Sequence, residues 1–127
     1  MQEKYLYEYA VIRFVPKVER EEFINVGIIM YCKRPKFLKA RYNIDEQKLH
    51  LFPSELEKES LCANLKAFEQ ICSATSGGGY VASLDITERY RWLTAVRSTS
   101  IQTSRSNMGF TDDLDATFDR LYQELVL

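Results

Sequence analysis

Tyr5-Leu6-Tyr7-Glu8-Tyr9-Ala10-Val11-Ile12-Arg13-Phe14-Val15 is the stretch on which the fold turns. Tyr, Val, Ile and Phe dominate it, and side chains of that kind fill a pleated surface well. Alternation puts Leu6, Ala10, Ile12 and Phe14 on one face and Tyr5, Tyr7, Tyr9, Val11 and Arg13 on the other. The first face is aliphatic and the second is aromatic with a single charge. Apolar groups on both sides predict a central strand covered on both sides. Pro16 cannot donate to a ladder and ends it.

Working outward, Lys17 to Asn25 reads as a charged connection and Val26 to Cys32 as a second strand. Lys33-Arg34-Pro35-Lys36 predicts a tight turn into a third, antiparallel strand over Phe37 to Tyr42. A short charged helix or turn follows around Asp45 to His50. The period then changes. Ser54 and Glu57 form a capping box after Pro53, and Leu61, Cys62, Leu65, Phe68 and Cys72 recur at helical spacing. Ser73 to Tyr80 is a loop. Asp85 and Glu88 open a second helix with Ile86, Tyr90, Leu93 and Val96 on one side. Ser98 to Ser106, rich in hydroxyls, predicts an edge strand. Thr111 is the expected cap of a last helix with Asp112 and Asp113 in its first turn and a stripe of Leu114, Phe118, Leu121, Tyr122 and Leu125. The expected class is α+β, an antiparallel sheet of three to four strands with about three helices packed on it, in the order β-β-β-α-α-β-α.

At 127 residues the chain is expected to be one domain, 1–127. Apolar residues at 46%, with 8 Tyr, 7 Phe and 1 Trp, exclude a disordered chain. Seventeen basic against 18 acidic residues leave no dominant field for nucleic acid or anionic membrane. Cys32, Cys62 and Cys72 form no C-x-x-C pair, and His50 stands as the one histidine, so no zinc spacing exists. No metal and no cofactor is expected, and the cysteines read as free thiols in a reducing compartment. The N-terminus lacks an apolar signal region, and no run reaches the ~18 apolar residues of a membrane span. The expectation is a cytoplasmic protein with no membrane association.

Few residues point to chemistry. Arg13, sharing its face with three tyrosines, is either buried with a carboxylate such as Glu22 or part of an anion site. Asn25-Val26-Gly27 reads most simply as a turn or bulge at the start of a strand. Arg97-Ser98-Thr99-Ser100-Ile101-Gln102-Thr103-Ser104-Arg105-Ser106 can cradle an anion with two guanidinium groups, or serve as an edge kept soluble by hydroxyls. Gly77-Gly78-Gly79 lacks the G-K-[ST] of a phosphate loop and reads as a turn. No nucleophile elbow accompanies His50. Most carboxylates sit at helix starts, where capping accounts for them.

Four blocks together carry a resemblance. They are Tyr7 to Pro16 with Arg20 to Ile29, Phe37 to Arg41, Glu88-Arg89-Tyr90-Arg91-Trp92-Leu93 running into Arg97-Ser98-Thr99 and Ile101-Gln102, and Gly109-Phe110-Thr111-Asp112-Asp113. In these the chain resembles a bacterial family known as a domain of unknown function, number 3037 in its series. The resemblance covers nearly the whole chain and implies no activity. Because such proteins are often encoded beside a kinase-like protein, it implies a companion or regulatory role. The family pattern continues the hydroxyl-rich segment through a proline and a histidine, where this chain has Arg105, Ser106, Asn107 and Met108. Any chemistry of that histidine is therefore not expected here.

Three functions compete. The favoured one is a binding or regulatory module that takes a protein or a small anionic ligand on a patch of Arg13, Glu22, Asn25, Arg97 and Ser104, with Tyr7 and Tyr9 as aromatic walls. The second is an enzyme on a phosphorylated or nucleotide-like substrate, with Arg97 and Arg105 as clamp and Glu22 as base. The third, ranked last, is a weak nucleic-acid binder using Lys33, Arg34, Lys36, Lys39 and Arg41 with Phe37. Exposed tyrosines would also suit a homodimer face.

Overall fold

The computed structural model describes residues 4–16, 19, 21–50, 58–74, 79–95 and 101–127. The strands β1 (Tyr5–Phe14), β2 (Ile24–Cys32) and β3 (Phe37–Tyr42) form an antiparallel meander. After them come α1 (Glu46–His50), α2 (Lys58–Cys72), a 3-10 turn at Val81–Ser83 and α3 (Ile86–Leu93). The strands β4 (Ile101–Thr103) and β5 (Asn107–Thr111) then precede α4 (Leu114–Leu125).

The α+β class holds and the order of elements roughly matches, but among the described residues there are four α-helices rather than about three, and the strand count also differs. Among the described residues the sheet has five strands rather than three to four, because the late strand comes in two pieces: β4, within the expected Ser98 to Ser106, and β5, which was not expected. Both halves pair antiparallel with the same side of β1: β4 with Ile12 to Phe14, and β5 with Tyr5 to Tyr9. Between them Ser104, Arg105 and Ser106 stand opposite two residues, Ala10 and Val11. The Ser104 N–H donates to the Val11 carbonyl at 2.8 Å, while the Ser104 hydroxyl accepts from the Val11 N–H at 2.9 Å. A side chain thus replaces a backbone carbonyl in the ladder, and the extra residue bulges out.

A second bulge lies on the other side of β1. Ile12 pairs with Gly27 but Arg13 with Asn25, leaving Val26 as the extra residue. The bulge resets the alternation of β2, so that Ile24 and Val26 share a core with Ile29 and Tyr31. Ile28, Met30 and Cys32 face the opposite way. Gly27 is required by close approach, since a Cβ there would stand 2.5 Å from the Arg41 carbonyl oxygen in β3.

Each face of the sheet carries its own core, as the two-sided reading of β1 predicts. Ala10, Ile12 and Phe14 pack with Leu61, Leu65, Phe68 and Ile71 of α2 and with Tyr90 and Leu93 of α3. Tyr7, with Tyr5 and Tyr9 at its margin, packs with Leu114, Phe118, Leu121 and Tyr122 of α4. Asp85 caps α3 by accepting from the Glu88 N–H at 2.9 Å. The cap of α4 is Asp113, which accepts from the Ala116 N–H at 3.1 Å, and not the expected Thr111. Thr111 stays in β5 opposite Tyr5, and strand pairing holds it out of the helix. The Ser54–Glu57 capping box, Gly77-Gly78, Val96 and Ser98 to Ser100 lie outside the described residues. Among the described residues no helix is long and apolar enough to cross a membrane.

Candidate functional site

Three polar side chains stand abreast across the middle of the sheet. Asn25 of β2, Arg13 of β1 and Gln102 of β4 are cross-strand neighbours on the face that carries α4, and all are half-buried. The Arg13 guanidinium lies 4.0 Å from the centre of the Phe23 ring, which comes from the segment leading into β2 and is itself 45% exposed. Arg13 Nε is buried and has no hydrogen-bond partner among the described residues. Leaving such a donor unanswered costs about 1–3 kcal/mol, so it needs an explanation.

Two neighbouring cases show what an explanation looks like. Asn25 also has a buried atom without a partner, Oδ1. Its Nδ2 donates to the Leu125 carbonyl at 3.1 Å, and Lys48 Nζ donates to the Val126 carbonyl at 3.3 Å. Together they satisfy the C-terminal carbonyls of α4, where a cation is favourable. A cavity of about 10 Å³ lined by Asn25, Asn43, Lys48 and Val126 adjoins this tie. Asn25 is thereby accounted for as a structural tie. Arg89 Nε is likewise unpartnered, but its Nη1 donates to the Ile71 and Cys72 carbonyls at 3.1 and 2.9 Å and closes the end of α2. Arg13 has no comparable structural duty among the described contacts.

The other expected patch residues do not gather on Arg13 among the described contacts. Glu22 immediately precedes Phe23, yet no bond from it reaches Arg13 Nε. Ser104 is occupied by the ladder: its hydroxyl accepts from Val11 and donates to the Arg105 carbonyl at 3.0 Å. Tyr7 is buried with its ring over Gly109, where a Cβ would come 2.5 Å from the phenol oxygen. Tyr7 is therefore core, while Tyr9, its ring centre 6.2 Å from that of Tyr7, stays half-buried on the same face. Arg97 lies outside the described residues. Gln102 completes the polar row and was not among the residues expected there. Its signal in the sequence was its place as the amide of the Arg97 to Ser106 segment, and its face follows only once the β4 register is known.

Other chemistry is dispersed. Arg105 stands at the bulge beside Ala10 and Val11, whereas Glu22 lies beyond the Phe14–Ile24 pair, so the structure sets them at different levels of β1. Lys39 and Arg41 turn to α4, pairing with Asp115 at 3.6 Å and Asp119 at 3.0 Å. Their cations also lie over the Phe118 ring. That use takes two charges from the proposed basic hairpin and leaves Lys33, Arg34 and Lys36 at its tip. A cleft of about 320 Å³ between α2, α3 and β4 is walled by Phe68, Ile71, Trp92 and Ile101, with Asn64, Gln102 and Thr103 as its polar residues. Its described lining holds no titratable side chain.

Two buried groups are chemically quiet. Tyr90, stacked on Tyr31 at 5.0 Å, shares a 2.6 Å hydrogen bond with Ser106, whose hydroxyl donates to Glu8 at 3.4 Å. Burial pushes its phenol up to about 12, with Ser106 opposing and Glu8 reinforcing. Burial also pushes the Cys72 thiol up to about 12 against the pull of Arg89, so it is a poor nucleophile. Among the described residues no three His, Cys, Asp or Glu side chains gather as a metal site.

Compared with known proteins, residues 9–126 match the sequence model of a family described as "Protein of unknown function (DUF3037)". No curated protein and no solved structure matches the chain.

Proposed function

This chain belongs to the DUF3037 family of proteins of unknown function, and on that footing we propose that it is a cytoplasmic binding or regulatory module. The observation that carries this reading is Arg13, whose buried Nε is an unanswered donor in a polar row, beneath a ring that solvent can reach. Such a donor suits a carboxylate or carbonyl oxygen offered by a partner protein or a small anionic ligand. The carbonyl end of α4 lies on the Asn25 side of the row and repels negative charge. The ligand oxygen therefore belongs on the β4 side, between Arg13 and Gln102. Phe23 stacks on the guanidinium and acts as a cover that the ligand displaces.

The test is capture of partners from the source cell's extract by the wild-type chain, by Arg13→Met and by Phe23→Ala, with a thermal-shift screen of small carboxylates alongside. The reading expects a protein or a carboxylate that the wild type binds and Arg13→Met does not, while both variants keep the wild-type circular dichroism. Binding that survives Arg13→Met overturns it. So does an Arg13→Met chain that fails to fold, because the arginine is then structural.

A further inference from the structure

The strand β5 carries an inference that stands independently of the Arg13 reading. Among the described residues it pairs with β1 alone, which leaves its outer edge open. Natural edges are guarded by charge, proline or a bulge, and Asn107-Met108-Gly109-Phe110-Thr111 contains none of these within its length. Met108 and Phe110 are 66% and 68% exposed, and Leu6, the cross-strand neighbour of Phe110, is 47% exposed. All three lie on the face that carries α3, beyond the Tyr90–Ser106 contact. This is an apolar strip on an open edge.

We propose that this edge joins a second copy of the same chain, β5 to β5, antiparallel about a two-fold axis at Gly109. The sequence is symmetric in character about that residue: polar, apolar, glycine, apolar, polar. Centred there, Met108 stands opposite the partner's Phe110 and Phe110 opposite the partner's Met108. Asn107 stands opposite the partner's Thr111. The exposed Arg105 then runs out toward the partner's Asp112 and the partner's Asp113, both carboxylates lying on the exposed surface. Apolar pairs at the centre with opposite charges at both ends make a self-complementary, isologous contact. Shifting the axis to Phe110 would set Met108 against the partner's Asp112. Moving it to Met108 would set Phe110 against the partner's Ser106. Gly109 is thus the one residue of β5 on which a two-fold axis sets both Met108 and Phe110 opposite an apolar side chain. The sheet then continues through both copies, and the contact is small enough to give a concentration-dependent dimer.

Sedimentation velocity from micromolar to near-millimolar protein tests this. The wild type is expected to pass from monomer to dimer across that range. Phe110→Lys, which alters an exposed side chain, should weaken the dimer by at least about tenfold with the circular dichroism unchanged. Arg105→Glu and Asp112→Arg should each weaken it, and the two together should restore it. A wild type that stays monomeric throughout overturns the proposal. So does a Phe110→Lys dimer as strong as wild type, or a double charge exchange that restores nothing.

Discussion

Arg41 and Arg13 lie on the same face of one sheet, two strands apart, and their surroundings are opposites. Over β2 and β3 the face is covered by α4, and Arg41 is answered three times: by Asp119 at 3.0 Å and by the rings of Phe118 and Tyr122. Over β1 and β4 Arg13 is met by one ring from a connecting segment, with its Nε unanswered. A charge that serves the fold is paired in several ways at once by elements of the fold itself. One left half-answered at the centre of a sheet is what the proposed binding role rests on.

The sharpest way to break this contrast is to remove the cover. Phe118→Ala should cost about 3–5 kcal/mol in urea unfolding, because Phe118 is fully buried and carries both cations of β3. Next, Gly27→Ala forces β2 away from β3 at the Arg41 carbonyl and should cost about 1–3 kcal/mol by the same measurement. A smaller loss lies on the opposite face. Tyr90 and Cys72 hold their protons to about 12, against ordinary values of 10.0 and 9.0. The folded state therefore binds protons that the unfolded state releases, and stability should be full below pH 9.0 and fall as pH rises toward 12. Tyr90→Phe should flatten the part of that fall above pH 10.0, as read by melting temperature against pH. The smallest effects concern the arginines themselves. Arg41→Ala should cost about 0.2–1 kcal/mol, since its ion pair is exposed. Arg13→Met, which removes an unanswered donor and keeps an apolar stem, should leave the unfolding midpoint within about 0.5 kcal/mol of wild type. If Arg13→Met costs more than Arg41→Ala, the contrast collapses and Arg13 belongs to the fold.

Period alone made much of this architecture legible. The two faces of β1 and the stripe of α4 follow from alternation and from 3.6-residue spacing, and both are set by local residues. β5 was not legible, because Asn107-Met108-Gly109-Phe110-Thr111 owes its extension to pairing with Tyr5 to Tyr9 rather than to its own propensity. The same holds for Ser104, whose hydroxyl answers an N–H 93 positions away. Arg13 and Asn25 stood out in the sequence as polar residues among strand formers. Only register could show that they are neighbours, that Gln102 extends their row, and that Asn25 is spent on the end of α4.

The place of β1 between β2 and the split strand also bears on how the chain comes off the ribosome. Its first ladder can close once Cys32 has emerged, but the second waits for Thr111. At the usual pace of synthesis the intervening residues take roughly 4–16 s. Through that interval the strand destined for the middle of the sheet presents one bare side, with its aromatic row uncovered by α4. The nascent chain is thus open along one side of the strand that both ladders later enclose.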